Sequence, residues 1–409
     1  MQKYLILAYR NTVRHKRRTI LTMLLIASVV AVTVFMEGFL EAYNQGWLQA
    51  TIHSQTGHIQ IMPTGYREAA VMSPIEGLIA SPEKIKELIG EDKDVIGMTE
   101  RLNIGGMIAT EEKTAIFSGI GIDPVNEYDV FDLIDVSQGR RLSPLDKEGC
   151  VIGALLAKQL GLKVGDSAIL MANTVEGSMN AIRVHIVGIF ESGTPEVDSL
   201  FLYIPIAHAQ NLVNIPGQVS NIILLLDDIK KVEPYSKKLN GMIKTIDLSQ
   251  SVEVWRWDEL AGMFKRITNM QRFQLSVIEG IMLFLVVLSI AIIMLMSVFE
   301  RVREIGTLTA FGITRREIAI LFLMESAMLG FLGGFIGNMI GFIVTTITYY
   351  LGIPFNPPGS TMTVYIRPII VPQIMLILFF VAILTTLLGG LYPALWGSKI
   401  KPTEALRYV

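Results

Sequence analysis

The chain has 409 residues, 51% of them hydrophobic and only 18% charged, with a formal net charge of −2. That length leaves room for two or three domains, and a near-neutral charge lacks the basic excess that a nucleic-acid-binding role needs. The single Cys150 excludes an internal disulfide, so every folded part must be stable without one.

The apolar residues are clustered rather than spread. A bilayer core of about 30 Å takes roughly 20 apolar residues of helix, and four stretches satisfy this: 19–41, 273–299, 318–351 and 370–396. A basic cytoplasmic segment, 1–18, precedes the first span. That span reads as an uncleaved anchor rather than a secretory signal, because its apolar run is too long and no small-residue cleavage site follows.

Residues 42–272 form a large insertion between the first two spans. Strand patterns occupy 57–62, 114–122, 167–172, 182–190, 200–204, 222–226 and 252–257, and helical patterns occupy 81–89, 154–160, 206–213 and 232–243. The two kinds interleave without a strict βαβ rhythm, which predicts an extracytoplasmic α+β domain in two lobes. The run 152–170 reads as a short helix stopped at Gly161, a turn at Gly165-Asp166, and a strand. Between 258 and 299 there is no proline, so one helix of about 60 Å is expected to extend the second span as a stalk. The first span is expected to extend likewise through 37–48.

Short-loop charges set the orientation. Lys3, Arg10, Arg14, Lys16, Arg17 and Arg18 precede the first span; Arg301, Arg303, Arg315 and Arg316 lie in the loop 300–317; Lys399, Lys401 and Arg407 lie in the tail 397–409. The loop 352–369 carries only Arg367. Both termini and loop 300–317 are therefore expected in the cytoplasm, with 42–272 and 352–369 outside.

Catalytic chemistry is missing from the sequence. No G-x-x-x-x-G-K-[ST] occurs, so phosphates cannot be cradled in the P-loop manner. Gly119-Ile120-Gly121 lacks a third glycine and reads as a strand bend. His53 and His58 are the closest histidine pair, without metal-ligand spacing, and no G-x-S-x-G elbow exists. Neither a catalytic residue, a cofactor nor a metal is expected.

Two acids fall within spans. Glu279 sits near the outer end of the second, where water reaches it. Glu325 lies about two turns into the third, where a buried charge needs a partner or a function; pairing with another helix is favoured over proton coupling. Gly333, Gly337 and Gly341 make a small-residue ladder that lets helices approach closely, either within the chain or at a subunit interface.

In loop 300–317, Val302, Ile305 and Leu308 form an apolar stripe between charges, Glu300 and Glu304 can pair with Arg303 and Arg301, and Gly306 and Gly312 allow bends. The bland reading is a solvated connector; the sharper one is a helix docking into a partner's groove. The run E-R-x-R-E-I-G-x-L-x-A-x-G from Glu300 to Gly312 resembles the signature of FtsX-like permeases, a group with MacB-type exporters and Lol-type lipoprotein-releasing permeases. Residues 11–19 and the Pro393-Ala394 and 401–407 motifs add to the likeness. The layout most resembles the lipoprotein-releasing branch.

The resemblance implies a permease subunit of an ABC transporter, not itself an enzyme, in a bacterial inner membrane. Two protomers, alike or different, would work with a cytoplasmic ABC ATPase dimer that binds the ATP. Arg301, Arg303, Glu304, Gly306, Leu308, Arg315 and Arg316 would form the coupling segment that seats on that ATPase. ATP-driven motion would reach the extracytoplasmic domain by mechanotransmission, releasing a lipoprotein or another amphipathic cargo, with membrane lipids and a periplasmic carrier or adaptor as further partners. The alternative is an FtsX-like regulator of an extracytoplasmic hydrolase.

Overall fold

Helix α1 (Lys16–Thr51) runs unbroken for 36 residues and ends in a π-helical turn, Ile52–Thr56, closed by Gly57 at φ 60°. There follow β1 (Ile59–Pro63), α2 (Pro82–Ile89), β2 (Val95–Ala109), β3 (Thr114–Ile122), β4 (Val136–Gly139) and β5 (Gly149–Gly153). Next come α3 (Ala154–Leu160), β6 (Ser167–Asn173), β7 (Met179–Phe190), β8 (Phe201–Pro205), α4 (Ile206–Val213), β9 (Asn221–Leu226), α5 (Val232–Ile243) and β10 (Val252–Arg256). Then follow α6 (Gly262–Glu300), α7 (Val302–Ala310), α8 (Arg315–Leu351) and α9 (Pro372–Gly397), with a short two-stranded sheet, Ile353–Phe355 and Val364–Ile366, between α8 and α9. This computed structural model describes residues 16–70, 73–90, 92–131, 136–246, 251–355 and 363–400. The basic segment 1–15, residues 356–362 of the loop 352–369, and the tail motif 401–407 lie outside the described residues.

The chain divides into two compact units. In the first, α1, α6, α8 and α9 are the helices long and apolar enough to cross a membrane among the described residues. Each begins or ends beyond its span as read from the sequence. α6 starts at Gly262, α8 at Arg315, and α1 continues to Thr51.

Their packing follows four-residue steps. Ile26, Val30 and Val34 of α1 and Val286, Ile290, Met294 and Val298 of α6 line one shared core with Phe322, Leu329, Ala382 and Ala394. Outward-facing Phe284, Ile292, Ile343 and Phe380 stay exposed, the apolar exterior that lipid requires.

The glycine ladder faces α1. A Cβ on Gly333 would stand 2.8 Å from Ile26 Cβ, one on Gly337 2.8 Å from the Ala27 carbonyl oxygen, and one on Gly341 2.8 Å from Val34 Cβ. Both sets of numbers rise together, so α1 and α8 run in the same direction. Gly390 meets Ser326, whereas Gly334 meets Ala382, so α9 runs opposite to α8. The same kind of contact, Gly389 on Ile290 and Gly397 on Val298, sets α6 parallel to α9. The start of α1 and the end of α9 therefore emerge at one end of the bundle.

The second unit is built on a ten-stranded mixed sheet among the described residues. Six of its strands close on themselves in the order β2–β3–β8–β5–β7–β6 and back to β2. Ile104, Ile108, Phe117, Cys150, Ile152, Leu170, Val184 and Leu202 fill the ring. Helix α4 packs Ala209, Leu212 and Val213 into the same core.

The 15-residue β2 is shared. Its first half pairs with β9 through Arg101, and its last residues, Met107–Ala109, pair with β6. Gly105-Gly106 sits at the changeover, and a side chain on Gly106 would collide with the Met171 backbone. β9 and β1 extend the sheet to β10, and α2 and α5 cover them around Ile59, Ile222, Leu224, Tyr235 and Leu239. Ile223 and Leu225 pack on the other face with Ile52 and Phe131, so the continuous apolar run of β9 is that of a strand buried on both sides.

The domain is α+β, as expected, with two main cores on one sheet path. Gly119 and Gly121 do not bend β3. Gly121 lets Ala209 of α4 come so close that a Cβ there would lie 2.6 Å from Ala209 Cβ.

Candidate functional site at the loop between α6 and α8

The loop holds one short helix with a defined start and stop. α6 ends at Glu300, Arg301 leaves helical geometry at φ −111°, ψ 12°, and α7 begins at Val302. After Ala310 the chain turns through Gly312 at φ 91°, which a glycine adopts without strain. Thr314 then caps α8: its hydroxyl accepts from the Glu317 amide while the Glu317 carboxylate accepts from the Thr314 amide at 2.8 Å.

Of the apolar stripe, Val302 and Ile305 are buried, Ile305 in the core of the bundle, and Leu308 is half-buried. Gly306 sits buried in mid-helix rather than at a bend. Arg303, Glu304, Arg315 and Arg316 are exposed. Phe311, at the turn, is 89% exposed; sequence reasoning passed over this aromatic residue, whose only signal was its place beside Gly312.

Arg301 faces inward and is 6% exposed. It does not pair with Glu304. Its Nη1 donates to Glu325 Oε2 at 3.3 Å, and Glu325 is itself 2% exposed. Arg18 joins them from α1: its Nη2 donates to Ser297 Oγ at 2.9 Å and to Glu325 Oε1 at 3.5 Å, and its Nη1 donates to Glu300 Oε2 at 3.4 Å. Glu300 thus pairs with Arg18, not Arg303. Two guanidiniums and two carboxylates meet where α1 starts, α6 ends and α8 passes. Arg301 Nη2 is buried without an acceptor. Local spacing carries no trace of this cluster, whose partners to Arg18 are 279 to 307 residues away.

In the inserted domain His58, one of the two histidines singled out from the sequence, has a structural role. His58 is buried and its Nδ1 accepts the Leu226 amide at 2.9 Å. Burial first, and the neighbouring His53 second, push its pKa down to about 4, keeping the ring neutral and able to accept. Gly165 turns at φ 99°, and Asp166 Oδ2 accepts the Lys163 amide at 2.8 Å. A buried pair that the sequence did not reveal, Arg101 with Glu127, is supported by Thr99 Oγ1 donating to Glu127 at 2.8 Å and by Arg101 stacking 3.7 Å from the Phe131 ring centroid.

Comparison with known proteins agrees with this layout. Residues 19–241 match the family model of the MacB-like periplasmic core domain, and residues 276–402 match that of the FtsX-like permease C-terminal region. The chain is 25% identical to the uncharacterized ABC transporter permease YknZ of Bacillus subtilis (strain 168), over 98% of each. It is 22% identical to the lipoprotein-releasing system transmembrane protein LolC of Haemophilus influenzae, over 84% of this chain and 86% of that one. The crystal structure of the periplasmic region of MacB from Actinobacillus actinomycetemcomitans superposes with a TM-score of 0.40 at 16% identity, over 54% of this chain and 98% of that one. The two family models, one of them matched over more than half of the chain, show that the chain belongs to the FtsX-like, MacB-type family of ABC transporter permeases.

Proposed function

We propose that this permease couples ATP hydrolysis by a separate cytoplasmic ATPase dimer to movements of its extracytoplasmic domain, and that the loop 300–317 is where the ATPase seats. The observation that carries this reading is the exposure of Arg303, Glu304, Phe311, Arg315 and Arg316 along a loop whose helix α7 is anchored in the bundle through Ile305. An exposed aromatic residue together with arginines is the composition of an interface centre. Arg301 and Gly306 are the buried part of this segment, and Leu308 is half-buried.

The excess of Lys and Arg around the start of α1, the loop and the tail supports a cytoplasmic position for that loop and both termini, with the chain in the cytoplasmic membrane of a bacterium. A second permease protomer would complete the transporter. The cargo we infer is amphipathic, a lipoprotein or lipid-like compound, in keeping with the lipoprotein-releasing name of its relative LolC.

Co-purification with the ATP-binding protein, comparing wild type with Phe311→Ala and with Arg303→Glu/Arg315→Glu, tests the seat. Loss of a central aromatic or of paired arginines is expected to weaken assembly by roughly 30-fold, as for interface residues worth about 2 kcal/mol. Unchanged assembly and ATP turnover in both variants would remove the loop from the interface.

A further inference from the structure

We propose that Glu325 is a positioning residue: its carboxylate clamps the joint between α6 and α7 to the start of α1, so that a displacement of α7 is delivered to both helices that lead into the inserted domain. The inference rests on the reading that α7 and its flanks receive the ATPase.

The backbone alone makes a weak joint. Only Arg301, in non-helical geometry, separates the end of α6 from the start of α7. A push on α7 could swing it about that residue without moving α6. Arg301 prevents this through its side chain, which reaches Glu325 of α8 at 3.3 Å. The other oxygen of the same carboxylate takes Arg18, two residues into α1, at 3.5 Å. Arg18 then holds the last turn of α6 through Ser297 Oγ at 2.9 Å and Glu300 at 3.4 Å. One carboxylate thus connects four helices.

Burial makes the connection stiff. Glu325 lies ten residues past Arg315, about 15 Å along α8, where Phe322 and Leu329 are buried close by in sequence. The buried Arg301 cannot exchange this partner for water at low cost, and its Nη2 already lacks an acceptor among the described residues, so no spare partner stands ready for it within the cluster.

Topology makes the clamp functional rather than only stabilising. α1 continues to Thr51 and α6 starts at Gly262, so these two helices are the covalent links on either side of the domain that lies between them in sequence. Both have an end in the cluster. Movement of α7 that keeps the cluster intact must carry both.

The test uses the full chain in lipid nanodiscs, with and without its ATP-binding protein. Spin labels at Thr307→Cys on α7 and Lys16→Cys on α1 measure the joint in the chain alone, and a fluorophore at the exposed Leu145→Cys reports the inserted domain. Wild type is expected to give one narrow label separation, Glu325→Gln a broadened one, and Glu325→Asp a partial return. In the assembled complex, Glu325→Gln is expected to keep assembly and ATP turnover close to wild type while the ATP-dependent Leu145 signal falls by about fivefold or more, the range of energetic coupling between sites.

An unchanged label separation in Glu325→Gln would overturn the proposal whether or not an ATPase binds. So would assembly, turnover and signal that all fall in proportion, which is what a purely structural role predicts. Failure of the wild-type chain to assemble with an ATP-binding protein would instead sink the docking reading, and the label separation would still decide the clamp.

Discussion

Arg301 and Glu325 are 24 residues apart in sequence, and their charged groups stand 3.3 Å apart in a site almost closed to solvent. Arg301 turns its guanidinium inward onto Glu325, whereas Glu325 also serves Arg18 at 3.5 Å. The two residues are therefore unequal. Removing the acid strands the buried Arg301 and leaves the half-buried Arg18 only Glu300 and Ser297, whereas removing Arg301 leaves the acid with Arg18. Breaking a buried pair by deleting one partner costs about 3–5 kcal/mol. Glu325→Ala is expected to fall in that range, with Arg301→Gln clearly below it. Thermal unfolding of the purified chain in detergent checks the order, and equal losses would show that Arg18 is no real partner.

The glycine contacts predict a contrast between two single-methyl insertions. At Gly337 a Cβ would meet Val30 Cβ at 2.7 Å and the Ala27 carbonyl oxygen at 2.8 Å, so the α1 backbone must move; at Gly46 nothing lies within 4 Å. Gly337→Ala is expected to destabilise by about 1–3 kcal/mol, as overpacked cores do. Gly46→Ala, in a helix, is expected to be neutral or to stabilise by roughly 0.5–1 kcal/mol. Melting temperatures of the two variants that moved together would deny the α1–α8 contact.

These contrasts also mark what the sequence could and could not reveal. Length and apolarity expose the four long helices, and α3, α4 and α5 begin and end where period and glycine stops place them, with Gly161 at φ 75° closing α3. β2 does not show in the sequence pattern because Gly97, Gly105 and Gly106 interrupt its alternation and the polar Thr99-Glu100-Arg101 carries no apolar signal, although Arg101 is 5% exposed on Glu127. β5, at Gly149–Gly153, was hidden by its glycines at both ends. The stripe of α7 was legible from its spacing. Which of its charges turn inward was not, because ion pairs such as Arg18 with Glu300, 282 residues apart, follow from tertiary packing alone.

Cys150 offers a built-in probe of the inserted domain. It is fully buried inside the strand ring, and burial pushes its thiol pKa well up, so both the reactive thiolate and access to it are suppressed. The native chain is expected to resist a maleimide at pH 7.5 and to label stoichiometrically in denaturant. Since the sequence has one cysteine, the labelled fraction counts opened ring directly. Rapid labelling of the native protein would mean that the ring opens freely.

His58 predicts how the domain responds to acid. In the fold its pKa lies near 4, against 6.5 for an unperturbed ring, with burial and His53 lowering it and Asp228 opposing them. Between those two values the unfolded chain binds a proton that the folded chain does not, so this residue's contribution is whole above pH 6.5 and is lost as pH falls toward 4. The slope within that window is at most about 1.4 kcal/mol per pH unit. Protonation would also remove the acceptor that Nδ1 offers the buried Leu226 amide at 2.9 Å. His58→Gln keeps a polar side chain and cannot titrate there. Its stability at pH 7 is expected to be lower than that of wild type, and its loss between pH 7 and pH 5 smaller. Urea midpoints of the full chain at the two pH values measure both, and parallel shifts in wild type and variant would show that His58 does not set the acid limit.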